Sequence, residues 1–285
     1  MNISAIIVTY NPNLSQLQKC VSSLLPQVEK IIIVKNSSEK LDFSEFQNEK
    51  IIQIQLEKNF GIAYAQNRGI EKAIAEGAEW VLLSDQDTVF PENYVSNFEK
   101  KIKIFGKNKI YAPTFFNEVK KQNEPVSVSM SKSVIPSGNE VVKVLHAISS
   151  GMIFCKEVFQ KIGGMKEELF IDYVDFEFCW RAKKFGIDTL CFSDISIQHQ
   201  LGDSYKKVLG KKITLRSDFR YFYMLRNGFY LSKNCEYLSD CEKSTLHKRT
   251  LIFAIGILLI SKNKLKTLNL VKNAICESRI IGDEK

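Results

Sequence analysis

The sequence predicts an α/β fold in which helices flank a mostly parallel central sheet, with a helical C-terminal extension. Over the first 115 residues, short apolar runs alternate with segments of helical periodicity. Such alternation requires crossover connections, and crossovers place successive strands parallel to one another. The run Val81–Leu83 is apolar at every position, which is typical of a strand buried on both faces. From Leu215 onward the pattern is helical.

Apolar runs predict the strands of the first half of the chain, and residues at helical spacing predict the helices between them. The predicted strands are Ile3–Thr9, Ile31–Val34, Ile51–Leu56, Trp80–Ser84 and Ile110–Pro113. The predicted helices carry Leu14 to Leu25, Ala65 to Ile74, and Phe98 to Phe105. Pro91 is expected in the first turn of the third helix, a position that suits its fixed backbone angle.

The second half of the chain is less regular. Residues 116–145 are polar and rich in turn-forming residues, which predicts an excursion or irregular hairpins. The pattern then predicts a helix over Asp175–Phe185 and two strands, Thr189–Phe192 and Ile195–His199. We therefore divide the chain into a main domain of residues 1–210, with halves of about 1–115 and 116–210, and a basic helical region of residues 211–285.

Composition narrows the class of protein. Of the 285 residues, 45% are hydrophobic and 25% are charged, as in ordinary globular proteins. The seven cysteines are scattered and form no CxxC pair, which favours a reducing compartment over a disulfide framework or a thiolate metal site. The N-terminus lacks a basic leader, so a cytoplasmic protein is expected. Neither a GxxxxGK[ST] loop nor an aromatic-plus-basic RNA-binding motif is present, which argues against nucleotide-driven motors and common nucleic-acid binders.

The positive charge is concentrated at the C-terminal end. Residues 201–285 carry 17 Lys and Arg against 8 Asp and Glu, whereas residues 1–200 carry 23 against 24. A basic region of this kind attracts anions such as phospholipid, polyanionic glycan or nucleic acid, although any single lysine is better explained as solvated surface. It also contains the apolar run Leu251–Ile260, flanked by lysines and an arginine. Ten residues are too few to span a bilayer, which needs about 20, so the run is either a buried helix or an interfacial one.

Two carboxylates follow the predicted strand Trp80–Ser84, at Asp85 and Asp87. Ligands of open α/β sheets bind outside the carboxyl ends of the strands, and carboxylates together with substrate phosphates are the usual ligands of Mg²⁺. The pair therefore predicts a metal–diphosphate site for a nucleotide or nucleotide sugar. Asp87 is the main candidate ligand, and Asp85 would contact ribose or a metal-bound water. The alternative is that Asp87 caps the helix near Pro91.

Several motifs resemble those of the family 2 glycosyltransferases, which have the GT-A-type nucleotide-sugar fold. The resemblance spans roughly residues 3–230 and rests on five segments besides the acidic triplet: Ile6–Pro12, Lys58–Gly69, Phe170–Arg181, Ile197–Gly202 and Arg220–Asn227. The form Phe-Ile-Asp-Tyr-Val-Asp at residues 170–175 resembles the bacterial rhamnosyltransferase branch, which uses dTDP-L-rhamnose. One departure concerns the turn after the second strand, where the family often carries Asp and this chain has Lys35-Asn36-Ser37-Ser38.

The resemblance implies a set of site residues. Asp175 is the expected base that takes the proton of the acceptor hydroxyl. Asp172 is its nearest rival, and Glu177 would orient the base or bind the acceptor. A single base without a covalent intermediate implies inversion at the anomeric carbon. Glu177 could instead pair with Arg181 at i,i+4, which would be a structural role.

The donor side of the site would use residues at the ends of the first strands and on the second helix. The expected nucleotide contacts are Thr9, Tyr10, Asn11, Asn36, Asn67, Arg68 and Asp85. His199 is either a third metal or diphosphate contact or a structural residue, and Arg226 could help to neutralise the diphosphate. The expected cofactor is Mg²⁺ or Mn²⁺.

The resemblance and the charge pattern together predict an inverting, metal-dependent glycosyltransferase of bacterial surface polysaccharide synthesis. The donor would be dTDP-L-rhamnose, or alternatively a UDP-hexose, and the acceptor a glycan or lipid-linked saccharide. The basic C-terminal region would contact the inner face of the membrane peripherally, and a homo-oligomer is possible. A non-catalytic nucleotide- or nucleic-acid-binding module is the alternative from a different class, but no nucleic-acid partner is expected.

Overall fold

The computed structural model describes residues 1–39, 44–117, 121–198, 205–208 and 211–281. Packing divides the chain into two compact units. The first consists of Met1–Glu167 and Asp175–His199, and the second of Glu168–Val174 and Gln200–Lys285. The short segment Glu168–Val174 thus packs with the C-terminal residues, although it precedes residue 210. The division into domains at residue 210 stays a prediction.

The first unit is built on a mixed, mostly parallel sheet. In chain order its strands are β1 (Ile3–Thr9), β2 (Lys30–Lys35), β3 (Ile51–Gln55), β4 (Trp80–Asp85), β5 (Lys109–Asn117), β6 (Gln122–Asn123), β7 (Val126–Ser127), β8 (Ser133–Val134), β9 (Val141–Val144), β10 (Ile153–Cys155) and β11 (Asp188–Gln198). The order across the main sheet is β3-β2-β1-β4-β10-β5-β11-β9, with β6 paired to β5. Strands β7 and β8 form a separate pair.

Parallel pairing joins β1 to β2 and β4, β2 to β3, and β5 to β11. Strand β10 runs antiparallel to both β4 and β5, and β9 runs antiparallel to β11. All seven residues of β1 are buried, as expected for a strand covered by helices on both faces. The predicted α/β class with a mostly parallel sheet is therefore confirmed.

Five helices connect or follow these strands. They are α1 (Leu14–Leu24), α2 (Ile62–Ala75), α3 (Tyr94–Phe105), α4 (Lys156–Ile162) and α5 (Val174–Lys184). The side chain of Asn13 accepts a hydrogen bond from the Gln16 amide and caps α1. Gly69 lets α2 approach β1 closely, because a Cβ at that position would lie 2.5 Å from Cγ2 of Ile6.

Some local predictions were wrong. Thr189–Phe192 and Ile195–His199 are not two strands, because β11 continues through an irregularity in its pairing with β5 between Phe192 and Ser196. Helix α3 begins at Tyr94, so Pro91 lies before the helix rather than in its first turn. Residues 116–145 do contain short irregular strand pairs, as predicted.

In its described residues, the second unit consists of a strand hairpin and three helices. These elements are β12 (Tyr205–Val208), β13 (Lys211–Thr214), α6 (Asp218–Asn234), α7 (Asp240–Ile260) and α8 (Lys264–Glu277). The helices meet in one apolar core, made by Tyr221, Leu225, Phe229, Ala254, Ile257, Val271 and Ala274. Ser239 and Glu242 form a reciprocal capping box that fixes the start of α7. The predicted helical C-terminal extension is confirmed.

The apolar run Leu251–Ile260 forms the last turns of α7. Ala254 and Ile257 are buried in the core, whereas Ile252 and Ile255 are more than half exposed. The run is therefore neither fully buried nor fully surface. Across the part of the chain that the structure describes, no helix combines the length and the apolar character needed to cross a bilayer.

Candidate active site

The carboxyl ends of β1 and β4 lie side by side at one edge of the sheet. The two strands pair in parallel, with Val8 opposite Asp85. Strands β2 and β3 lie on the other side of β1, so the strand order reverses between β1 and β4. Open α/β sheets bind ligands at such a reversal point. We call Thr9–Asn11 together with Asp85–Asp87 the donor edge.

Gln86 joins the two halves of the donor edge. Its Oε1 accepts a hydrogen bond from the Tyr10 amide at 2.9 Å, and its Nε2 donates to the Tyr10 carbonyl at 3.3 Å. The backbone of Asn11 is in the left-handed region, with φ of 45°, and the Tyr10 side chain is half exposed. Thr9 is buried. The middle residue of the acidic triplet therefore clamps the end of β1, a role that its sequence position did not reveal.

Asp85 and Asp87 differ in their surroundings. Asp85 is half-buried, and its amide donates to Oγ of Ser150 at 3.1 Å. The Ser150 hydroxyl also shares a 2.8 Å hydrogen bond with Oγ1 of Thr88. Asp87 lies between these two anchored positions and is exposed. The turn is thus held by its backbone and by Thr88, which leaves the Asp87 carboxylate facing solvent.

The residue that follows Ser150 must be glycine. Gly151 has φ of 84°, and a Cβ there would collide with the Tyr94 hydroxyl and lie 2.7 Å from the Pro113 ring. Its amide donates to the Leu83 carbonyl at 2.7 Å, and its carbonyl accepts from the Tyr94 hydroxyl at 2.5 Å. The Ser149–Gly151 turn is therefore fixed directly against β4.

The same turn holds Asp175, the predicted base. The Ser149 amide donates to Oδ2 of Asp175 at 3.1 Å, and the Phe176 amide donates to Oδ1 at 2.9 Å. Because Ser149 and Ser150 are adjacent, the Asp85 amide and the Asp175 carboxylate are joined through two neighbouring residues. The structure thus brings the predicted metal-binding turn and the predicted base to one place.

Gln66 supports this turn from helix α2. The side chain is 4% exposed, and its Nε2 donates to Oγ of Ser149 at 3.3 Å. Its Oε1 is buried and makes no hydrogen bond in the structure. The residue is part of the Lys58–Gly69 motif, but spacing alone gave no reason to separate it from its neighbours.

Asn36 and Asn67 are buried in hydrogen bonds to the protein. Nδ2 of Asn36 donates to Oδ1 of Asn59 and to the Gly61 carbonyl, while its Oδ1 accepts from the Phe60 amide at 2.9 Å. Nδ2 of Asn67 donates to the Met165 carbonyl and to Glu167, and its Oδ1 accepts from the Met165 amide at 2.7 Å. Both amides therefore hold loops, and their contacts to a nucleotide stay predictions without support from this geometry.

Arg68 and Glu177 also have partners within the protein. Nη2 of Arg68 pairs with Glu71 at 2.8 Å, and the guanidinium lies 5.1 Å from the centre of the Tyr64 ring. Glu177 is 2% exposed and forms a two-point ion pair with Arg181, at 3.0 and 2.8 Å. The predicted i,i+4 pair is confirmed. The predicted contact of Glu177 with an acceptor stays a prediction, and so does that of Arg68 with a phosphate.

Asp172 and Arg226 belong to the second unit, where Asp172 lies in an unusual segment and Arg226 helps to hold that segment. Phe170, Asp172 and Tyr173 all have positive φ, between 62° and 66°. Left-handed backbone at residues other than glycine costs roughly 1–3 kcal/mol each and persists only where neighbours enforce it. We call Glu168–Tyr173 the strained segment.

Helix α6 supplies the groups that hold the strained segment. Nδ2 of Asn227 donates to the carbonyls of Leu169, Ile171 and Asp172, at 2.8, 2.8 and 2.9 Å. Nη2 of Arg226 donates to the Glu168 and Leu169 carbonyls. Burial lowers the pKa of the Arg226 guanidinium. Arg226 is thus bound to backbone, and its predicted contact with a diphosphate stays a prediction.

The carboxylate of Asp172 is paired as well. Arg220 donates to both of its oxygens, at 2.5 and 3.3 Å. Asp172 therefore has a structural partner in the second unit, and its role as an alternative base has no support from this geometry. Asn227 was not singled out from the sequence, although it ends the Arg220–Asn227 motif.

The predicted metal ligands Asp85, Asp87 and His199 stay predictions. Within the described ranges, no three side chains of His, Cys, Asp or Glu come together as a metal site. His199 lies outside the described residues. Asp85 and Asp87 do supply carboxylate oxygens at the donor edge, and one or two carboxylates with substrate phosphates suffice for a hard divalent cation. The donor set present therefore fits Mg²⁺ or Mn²⁺ shared with a diphosphate.

Comparison with known sequences places this geometry in context. The model of the family described as Glycosyl transferase family 2 matches residues 4–163. The dTDP-rhamnosyl transferase RfbF of Shigella flexneri is 36% identical over 239 residues, which cover 81% of this chain and 79% of that protein. The residues matched by the family model include the donor edge and the Ser149–Gly151 turn.

Solved structures show the same fold at low identity. The crystal structure of S. aureus TarS 1–349 matches with a TM-score of 0.61 at 18% identity, covering 99% of this chain and 82% of that one. The crystal structure of GalNAc-T7 with UDP, GalNAc and Mn²⁺ matches with a TM-score of 0.60 at 13% identity, covering 96% of this chain and 57% of that one. At these identities the likeness concerns the fold alone.

Proposed function

The chain belongs to glycosyl transferase family 2 and has the GT-A-type fold, and from this premise we propose that it transfers L-rhamnose from dTDP-L-rhamnose to a saccharide acceptor with inversion. The donor is proposed from the Shigella flexneri relative, whose name states a dTDP-rhamnosyl transferase. A UDP-hexose is the alternative donor. The observation that carries the proposal is the turn Ser149-Ser150, which holds the Asp85 backbone on one side and the Asp175 carboxylate on the other.

The proposed reaction breaks the bond between the anomeric carbon and the diphosphate oxygen. The acceptor oxygen forms a new bond to that carbon from the opposite face, and its proton passes to a carboxylate oxygen of Asp175. The bonding electrons of the broken bond leave with the nucleoside diphosphate. Two backbone amides orient the Asp175 carboxylate, so the base is already positioned before an acceptor binds.

Asp85 and Asp87 would hold a divalent cation, Mg²⁺ or Mn²⁺, at the donor edge. When bound, the cation would stabilise the negative charge that grows on the leaving diphosphate. Gln86 keeps the two carboxylates beside the end of β1 through its bonds to the Tyr10 backbone. Tyr10 is half exposed at this edge and is proposed to stack on the thymine base.

The proposed acceptor is a glycan or lipid-linked saccharide of a bacterial surface polysaccharide. Two properties support a lipid-linked acceptor: the excess of 17 cationic over 8 acidic residues at 201–285, and the exposed apolar residues of α7. Peripheral contact with the inner face of the membrane is part of the proposal. A homo-oligomer is compatible with it but is not required.

The experiment is a turnover assay with purified full-length protein and a panel of donors, namely dTDP-L-rhamnose, UDP-glucose and UDP-galactose, with and without Mn²⁺ or Mg²⁺. We expect hydrolysis or transfer with dTDP-L-rhamnose that is lost on chelation. Asp175→Asn should lower kcat by at least about 100-fold, the usual contribution of a positioned base, whereas the control Glu92→Gln should leave it unchanged. Selective turnover of a UDP-hexose would replace the donor, and full activity of Asp175→Asn would overturn the assignment of the base.

A further inference from the structure

We propose that helix α7 binds the surface of a bilayer that contains anionic phospholipid, through an exposed apolar ridge formed by Leu251, Ile252, Ile255 and Leu259. The proposal rests on the proposed function in one respect, since a lipid-linked acceptor would bring the enzyme to a bilayer. All residues of this ridge lie in the second unit.

The exposed apolar residues of the ridge are neighbours on one helix and are not scattered over the surface. Its four side chains are between 41% and 59% exposed. Their spacing along α7 places them on one side of the helix. The opposite side already packs Ala254 and Ile257 into the core, so α7 cannot bury the ridge by turning about its axis. A helix that is apolar on both sides usually has a partner on each.

Cations frame the ridge at both ends. Lys248 lies three and four residues before Leu251 and Ile252, on the same side of α7, and is exposed. Lys262 follows the end of the helix and is also exposed. An apolar strip between lysines is typical of helices that lie in the bilayer interface, where apolar side chains enter the acyl boundary and cations meet the headgroups.

A cationic cavity opens beside the first residue of the ridge. The cavity has a volume of about 680 Å³ and is lined by α6, α7 and the end of α8. Its described lining includes Lys233, Lys243, Lys248 and Arg279, with Leu251 in the wall, and contains no carboxylate. A cavity with this charge suits a phosphate. A phospholipid headgroup could therefore occupy it while the acyl chains lie along the ridge.

Charge favours a bilayer over a second copy of the chain. A two-fold contact through the ridge would place the same surface on both partners. It would then bring the flanking lysines of the two copies close together, Lys248 against Lys248 or against Lys262, and like charges oppose such an approach. An anionic lipid surface has the opposite sign, and its attraction for the cations weakens as salt screens it.

The test is co-sedimentation of the full-length protein with phosphatidylcholine vesicles, with and without phosphatidylglycerol. We expect binding to the anionic vesicles that falls with added salt. The double variant Ile252→Ser/Ile255→Ser should bind at least about tenfold more weakly, because two apolar side chains no longer enter the acyl boundary. The matched control is Ile104→Ser, which changes a 72% exposed isoleucine on α3 in the first unit and should bind normally.

Two further measurements, thermal melting and stabilisation by the donor, distinguish failure of the ridge proposal from failure of the proposed function. Thermal melting should be the same for wild type, the double variant and the control, and the rise in melting temperature on adding dTDP-L-rhamnose should be equal in all three. Failure of the donor to stabilise any of them would count against the proposed function while leaving vesicle binding intact. Unchanged vesicle binding by the double variant would overturn the proposal that the ridge binds the bilayer. A double variant that shifts from dimer to monomer in light scattering, with no vesicle binding in the wild type, would identify a second copy as the occupant.

Discussion

The donor edge and the strained segment are both held in a fixed backbone conformation, but by different means. At the donor edge, regular strand ends place Asp85 and Asp87, and Asn11 is the one residue of that set with positive φ. In the strained segment, three residues other than glycine have positive φ, and α6 holds them with a buried amide and a buried guanidinium. We therefore expect substitutions at the donor edge to change activity without changing stability. Substitutions that affect the strained segment should change both.

Replacing Asp87 gives the largest expected effect on activity. The side chain is exposed, so Asp87→Ala should leave the melting temperature nearly unchanged. Loss of a proposed metal ligand should lower kcat/KM by roughly 100- to 1,000-fold, as removal of comparable transition-state stabilisation does. The control is Glu92→Ala, five residues further along. A variant that melted well below the wild type would show that the donor edge also couples chemistry to stability.

Replacing Asn227 should affect both properties at once. Asn227→Ala removes three hydrogen bonds to the strained segment, while the Leu169 carbonyl keeps its bond from Arg226. The unfolding free energy should therefore fall by about 3 kcal/mol, roughly 1 kcal/mol for each bond lost. Activity should fall in parallel, because the segment leads directly into the helix that carries Asp175. Chemical denaturation and turnover are measured on the same samples. Asn234→Ala, an exposed position on the same helix, is the control and should change neither.

The contacts of Asn227 show which part of the structure could not be predicted from the sequence. Strand periodicity and the acidic triplet were enough to place β1, β4, Asp85 and Asp87 at one edge, because parallel strands must align their carboxyl ends. The positive φ values at Phe170–Tyr173 had no such signal. Aromatic and β-branched neighbours do not predict left-handed backbone, and the partner that enforces it lies more than 50 residues away.

The same reasoning applies to the predicted site residues whose side chains bind other parts of the protein. Asn67 and Glu177 stand in motifs that resemble the family, and Asn36 stands in the turn where the chain departs from it. All three side chains are buried in protein hydrogen bonds. A motif identifies which residues matter without distinguishing a ligand contact from a loop anchor. Ser149 and Ser150 could not be singled out, because they act through one amide and one hydroxyl whose partners are set only by the folded chain.

Replacing Gln86 at the donor edge should have a smaller effect, mainly on the KM for the donor. Gln86→Ala removes two partly exposed hydrogen bonds to the Tyr10 backbone, each worth about 1 kcal/mol or less. Because the clamp positions the end of β1 and not the base, KM for the donor should rise about fivefold to tenfold with little change in kcat. Gln122→Ala, at an exposed position on β6, is the control. A fall in kcat with unchanged KM would instead place Gln86 in the chemical step.

The smallest effect is a difference in thiol reactivity between the two regions. Cys20 lies under the donor edge, fully buried, with Sγ 3.5 Å from the Asp85 carbonyl, and burial raises its pKa to about 12. Cys241 and Cys276 are exposed. At pH 8 we expect a thiol reagent to modify Cys241 and Cys276 before the first time point. Cys20 should react far more slowly, because its thiol stays protonated and is inaccessible to the reagent.

Peptide mapping after timed alkylation identifies which cysteine has reacted. Cys235, buried in the second unit, serves as the matched reporter for that unit. Donor binding should slow the reaction of Cys20 and leave the rate at Cys235 unchanged, since a ligand at the donor edge suppresses only the local opening that exposes Cys20. If the donor protected both thiols equally, Cys20 and Cys235 would become exposed in one common opening event. The expected difference between the donor edge and the second unit would then be wrong.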